Sequence, residues 1–322
     1  MARRYEVVEG FFKRPRKWTF VEVADVDVDA DDNVYVFSRG PRPVMIFDRD
    51  GNFLDHWGEL GERYFTNPHG LTVGTDGAVY TADTGDHTVR KWTRDGKPLL
   101  VLGQPHHNAP EQSGLPFNQP TKVDVASNGD IYVTDGYGNA RVHVFDASGT
   151  LRRSWGARGN GPGQFDLPHG LFVDRGDGDR LYVADRYNDR VQIFTSGGEH
   201  IGEWRDLALP NNVRRAPDGA FAVAELGHRV SVVDRDGRVL ARFGDEGAVL
   251  DDSPTARLAL ATSPAAGRRG KVRHEPGPGR CCAPHGIAVD SRGGIYVAEV
   301  AESWTGLDRG DRAIQKFELV EA

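Results

Sequence analysis

The sequence predicts an all-β protein, a six-bladed β-propeller of four-stranded blades. One unit recurs six times along the 322 residues, and each copy holds short apolar runs separated by Asp-Gly-like turns. The last copy is one strand short, while an unassigned strand stands near the N-terminus. Short strands in evenly spaced sets of four are the pattern of propeller blades. The units cover residues 26–57, 69–103, 121–156, 169–204, 211–244 and 285–319. The second reads Thr75-Asp76-Gly77-Ala78-Val79-Tyr80, and the third Asn128-Gly129-Asp130-Ile131-Tyr132-Val133. Most then close on a Trp-Gly or Gly step. The sixth ends at its third run, Ile314-Gln315-Lys316-Phe317, so residues 4–9 are expected to supply its fourth strand. Such closure removes the exposed edges of the ring.

Composition narrows the role. The net charge of -7 and the pI near 5.9 argue against a broad nucleic-acid or anionic-membrane surface. No apolar run is long enough for a membrane helix. Met1-Ala2-Arg3-Arg4 leads into a strand without an apolar signal core, so a cytoplasmic protein is expected. Two adjacent cysteines, Cys281 and Cys282, give no disulfide framework and are read as redox-sensitive if exposed. A single domain over residues 1–322 is expected. Two long connections, 104–119 and 245–282, lead into inner strands, and the second is read as a partial lid.

One tripeptide recurs in selected units. Asn67-Pro68-His69-Gly70-Leu71, Leu167-Pro168-His169-Gly170-Leu171 and Ala283-Pro284-His285-Gly286-Ile287 each open an inner strand. Across the six units the aligned residues are Ala24, His69, Thr121, His169, Asn211 and His285. Histidine thus occupies blades two, four and six, about 120 degrees apart in a six-bladed ring. Three imidazoles aimed at one axis, with room for a water or substrate, form the arrangement of catalytic zinc. The turn after each second strand lies on the same face and carries Arg39, Thr84, Tyr137, Arg186, Leu226 and Val300 in order. Arg39, Tyr137 and Arg186 should overhang the histidines. Two guanidinium groups there suit a bidentate grip on a carboxylate. His87 and His228 fall in turns and are assigned structural roles. His106 and His107 lie in a connection without repeat-fixed geometry.

These residues carry a resemblance. The blades look like NHL repeats, and the chain from about Val21 resembles the peptidyl-α-hydroxyglycine α-amidating lyases. It is strongest through Asp135-Gly136-Tyr137-Gly138-Asn139-Ala140-Arg141-Val142, Pro162-Gly163-Gln164-Phe165 and Ala184-Asp185-Arg186-Tyr187-Asn188-Asp189-Arg190. The resemblance implies zinc on His69, His169 and His285, a catalytic Tyr137, and substrate-binding Arg39 and Arg186. It also implies a structural calcium in the channel, held by the backbone carbonyls of Val26 and Leu71 and by an aspartate after the third histidine. That last position is Gly286, and a methionine expected two residues before the histidine is Ala283. Asp25, at the equivalent place in the adjacent blade, stands as the replacement carboxylate.

The expected function is that of a zinc-dependent lyase. It would cleave the C–N bond of a carbinolamide, an α-hydroxyglycine-like compound, into an amide and a carbonyl product. Tyr137 would take the carbinol proton, and the arginines would hold a carboxylate or carbonyl of a small-molecule or peptide-like substrate. No nucleic acid or membrane partner is expected, and the sequence gives no oligomeric state. Two rivals stand beside it. One is a zinc hydrolase or hydratase on the same three histidines, and the other a non-catalytic NHL scaffold.

Overall fold

The computed structural model describes residues 3–59, 64–244 and 277–321. Among them, six four-stranded antiparallel sheets form the six blades. Their inner strands are Val23–Val28, Pro68–Val73, Lys122–Val125, Pro168–Asp174, Pro210–Arg215 and Pro284–Val289. Each inner strand touches the inner strands of both neighbouring blades, so the ring is closed around a central channel. The strand Arg4–Val7 pairs antiparallel with the last strand, Ile314–Glu321, with Val7 opposite Phe317. The N-terminus therefore supplies the outermost strand of the sixth blade, as the repeat pattern predicts. Residues 245–276, which hold most of the expected lid, lie outside the described residues.

The repeated Tyr-Val runs are explained by burial on both faces. Successive side chains of a strand point to opposite faces. In blade three, Ile131 and Val133 pack toward blade two while Tyr132 packs toward blade four. In blade six, Ile295 and Val297 face blade five and Tyr296 faces blade one. One apolar cluster consequently fills each of the six gaps between neighbouring blades. Sheets covered on both faces need continuous apolar strands, which is what these runs are.

The acidic residue ending most second strands clips the loop that leads into the blade. Asp83 accepts the N–H groups of Thr66 and Asn67 at 2.7 and 2.9 Å. Asp135 accepts from Asn118, Asp185 from Asp166, Glu225 from Ala208, and Glu299 from Cys282 and Ala283. Orphan loop amides are thereby satisfied at the mouth of the channel. The Trp-Gly ends have a partner too: the left-handed Gly96, φ +81°, sits where a Cβ would lie 2.6 Å from the Trp57 ring.

One departure from the sequence reading appears. A short helix, Ala301–Thr305, follows the second strand of blade six, where only a turn is expected. His87 and His228 are confined to turns, each with positive φ, at 63° and 69°. Among the described residues no helix is long and apolar enough to cross a membrane.

Ring closure should be measurable. Tyr5 stacks on Phe243, with ring centroids 4.9 Å apart, and packs with Val7 against the cluster between blades five and six. Removing residues 1–8 should cost about 2–4 kcal/mol through lost packing. That corresponds to a fall in Tm of roughly 5–15 °C by scanning calorimetry. An unchanged Tm would show that the strand adds nothing to the ring.

Candidate functional site

The three histidines meet on the channel axis. His69, His169 and His285 are 2%, 3% and 4% exposed, and their ring centroids lie 4.5–4.7 Å apart. One nitrogen from each comes within 4.8 Å of the others. The opposite nitrogen, Nδ1, donates to a backbone carbonyl of the next blade. His69 bonds Thr121 O at 2.7 Å, His169 bonds Asn211 O at 2.9 Å, and His285 bonds Ala24 O at 2.6 Å. Because a carbonyl only accepts, the proton sits on Nδ1 and the Nε2 lone pairs face one another.

Thr121, Asn211 and Ala24 occupy the histidine-equivalent positions of the odd blades. The even blades supply imidazoles and the odd blades supply the acceptors that orient them. This contact needs the glycine after each histidine. A Cβ on Gly70 would lie 2.5 Å from Thr121 O, on Gly170 2.3 Å from Asn211 O, and on Gly286 2.6 Å from the Asp25 Cα. Burial pushes all three imidazoles well below their usual pKa, helped next by Arg39 at His69, Arg186 at His169 and His69 at His285. They stay neutral, the state that binds metal. The Nε2 of His169 is buried without a hydrogen-bond partner. Leaving such a group bare costs about 1–3 kcal/mol, so the residues fit a tetrahedral metal such as zinc.

Tyr137 reaches over this layer, its hydroxyl 3.1 Å from His69 Nε2 and its ring 6.1 Å from that of His169. Arg186 is 4% exposed, with Nε donating to Asn211 Oδ1 at 2.6 Å and Cζ 6.0 Å from the Tyr137 ring. Its Nη2 is buried and has no hydrogen-bond partner. Arg39 differs: Nη1 is held by Glu22 Oε2 at 2.9 Å and Ser303 Oγ at 3.0 Å, and Nε by Pro68 O at 3.1 Å. The expected pair of equivalent guanidiniums is thus one neutralised arginine and one with an open donor. Leu226 and Val300, in the corresponding turns of blades five and six, join Cys282, Ala283 and Ala301 in an apolar wall. The channel mouth is polar over blades one, three and four and apolar over blades five and six.

Sequence reasoning missed Glu22, Ser303 and the role of Asn211, whose side chain also donates to Pro284 O at 2.7 Å. The only available signal was polarity at an inward repeat position. Cys281 and Cys282 are both buried, so the exposure that the redox reading required is not met, and burial pushes the Cys282 thiol up in pKa. His106 and His107 are exposed and stand apart from the cluster of His69, His169 and His285.

Leu71 and Asp25, two of the groups considered for calcium, have other partners. The Leu71 carbonyl accepts a hydrogen bond from the Lys122 ammonium, and the same ammonium is paired with the Asp25 carboxylate. Asp25 also accepts Val26 N at 3.0 Å and Leu71 N at 2.8 Å. A cation already fills the position, so these residues do not fit a calcium ion.

Six NHL-like blades around an axial three-histidine cluster define a propeller of the NHL class. The NHL repeat pattern matches residues 65–92 and 117–145. Mouse NHL repeat-containing protein 3 is 31% identical over 302 residues, covering 88% of this chain and 75% of that protein, and the chain belongs to this NHL-repeat family. A probable peptidyl-α-hydroxyglycine α-amidating lyase of Caenorhabditis elegans is 37% identical over 190 residues, 58% of this chain and 53% of that one. In fold, the chain is similar to a streptogramin B lyase, with TM-score 0.58 and 16% identity over 99% of this chain and 98% of that one. Relatives named as amidating lyases support a lyase-like or NHL-propeller role.

The close approach between blades is open to test. Gly170→Ala places a methyl against backbone that cannot step aside, and should cost about 1–3 kcal/mol in urea denaturation. The same change at Gly77, where nothing lies within 4 Å but φ is +75°, carries only backbone strain. The loss at Gly170 should therefore come with displacement of His169, read as altered His169 ring resonances by NMR.

Proposed function

We propose that His69, His169 and His285 hold zinc, and that the protein is a lyase cleaving a carbinolamide-type C–N bond into an amide and a carbonyl compound. The observation that carries this reading is the tyrosine hydroxyl beside neutral, converging imidazoles together with the unpartnered Nη2 of Arg186. Relatives named as amidating lyases add support over part of the chain. Bound zinc would supply Lewis acidity toward a carbinol oxygen and orient it.

The chain's own groups do the rest. Tyr137 Oη is the base within reach of the axis and takes the proton from the carbinol hydroxyl. As the C=O bond forms, the C–N bond breaks with its electron pair passing to nitrogen. The nitrogen regains one proton, so the step consumes and releases none overall. Arg186 grips a substrate carboxylate through its open Nη2, with Asn211 fixing the guanidinium plane. Arg39, its charge offset by Glu22, is suited to holding a neutral carbonyl instead. The apolar wall of Leu226, Val300 and Ala301 faces the remainder of the substrate.

The purified protein should contain one zinc per chain by elemental analysis, and His169→Ala should lose it. Tyr137→Phe should keep the zinc and lose about 10²–10⁴-fold in kcat on an α-hydroxyglycine amide. Products should appear as amide and carbonyl in equal amounts. A product without a new carbonyl would instead indicate a hydrolase or hydratase. Arg186→Lys, which keeps charge but not the planar fork, should raise KM about tenfold with a smaller change in kcat. A protein that neither contains nor takes up zinc would leave the non-catalytic propeller reading, which the longer match to the NHL repeat-containing protein favours.

A further inference from the structure

We infer that Lys122 is a cation built into the chain that does the work of a divalent metal ion beneath the histidines, making this protein's channel independent of calcium. The residues that follow the six aligned positions are Asp25, Gly70, Lys122, Gly170, Asn212 and Gly286. Odd blades carry a polar side chain and even blades carry glycine. Lys122 is 2% exposed, and its ammonium crosses from blade three to Asp25 in blade one. It can do so because blade two, between them, has no side chain at Gly70, where a Cβ would lie 3.2 Å from Lys122 Cδ. Asn212 completes the layer by donating to Asp25 Oδ1 at 3.2 Å.

The placement of the carboxylate follows the same logic. A Cβ on Gly286 would lie 2.5 Å from Asp25 Oδ1, so an acidic residue at 286 and the present Asp25 exclude one another. Relative to the resemblance, the carboxylate has moved one blade and the cation has become a side chain. Both amide groups of Leu71, two residues beyond His69, are fixed as a result. Its N–H is held by Asp25 and its carbonyl by Lys122. Blade five repeats the device, with Arg214 Nη1 donating to Leu171 O at 3.3 Å.

Charge in the channel supports the assignment. Asp25 pairs with Lys122, Asp27 with Arg214 at 3.6 Å, and Asp124 with Arg175 at 2.5 Å. Three carboxylates face three cations, a sum of zero. Adding a divalent ion would leave two positive charges without partners in a buried space, an arrangement proteins avoid. Burial raises Asp25 and lowers Lys122 in pKa, and their mutual attraction opposes both shifts.

The test is calcium dependence of the full-length chain, read as Tm and bound calcium at fixed saturating zinc, in calcium chloride against calcium chelator. These readouts do not involve turnover, so their outcome is separate from that of the lyase reading. The wild-type protein should bind no stoichiometric calcium, and its Tm should be the same in both buffers. Lys122→Ala uncovers the Asp25 carboxylate and the Leu71 carbonyl. Its Tm should fall below wild type in chelator and recover by several degrees on adding calcium, an oxygen-seeking ion of suitable size. Lys122→Met fills the space without a charge and should show no recovery. A folded Lys122→Ala indifferent to calcium overturns the inference. The wild-type measurement decides by itself even if that variant does not fold: one calcium per chain overturns it, and none supports it.

Discussion

Three hydrogen bonds from histidine Nδ1 to the carbonyl of the following blade organise the centre of this molecule. Each bond sets a ring tautomer, aims a lone pair at the axis and ties an even blade to an odd one. None can form unless neighbouring inner strands approach closely, which is why glycine follows each histidine. The approach in turn depends on the closed ring, because only a closed ring presses every inner strand against two others. The site is therefore a property of the whole propeller rather than of three loops.

Upon that threefold frame the side chains are deliberately unequal. Arg39 is paired with Glu22, while Arg186 keeps a buried Nη2 without a partner. Polar groups overhang blades one, three and four, and Leu226, Val300 and Ala301 close the other side. A threefold histidine cluster below an asymmetric mouth matches the proposed substrate, with one charged end and one apolar end. Beneath the cluster, paired charges on Asp25, Lys122, Asp27, Arg214, Asp124 and Arg175 fill the channel. Burial makes each ion costly alone, so these residues are held as sets and their geometry is rigid.

Much of this was legible in the sequence because a repeat converts position along the chain into position around a ring. Blade number, inner strands, the axial histidines and the overhanging Tyr137 and Arg186 all followed from aligned turns. The pairing of Arg39 with Glu22 did not, because Glu22 precedes the first unit and Ser303 sits on a helix that breaks the turn pattern. Lys122 was missed for a different reason. A lysine in an alternating strand reads as a solvent-facing residue, and only curvature of the ring turns that face inward onto Asp25.

The sequence by itself determined the number of blades, the strand that closes them and the alternate placement of the three histidines, since each is a matter of period and spacing. Tertiary structure alone decided which charged groups find partners. Pairs such as Lys122 with Asp25, 97 residues apart, and Arg39 with Ser303, 264 residues apart, form where blades meet. The free energy of a charge depends on its neighbours and on the water excluded around it. Neither is written in local sequence, and both are fixed only when the ring shuts.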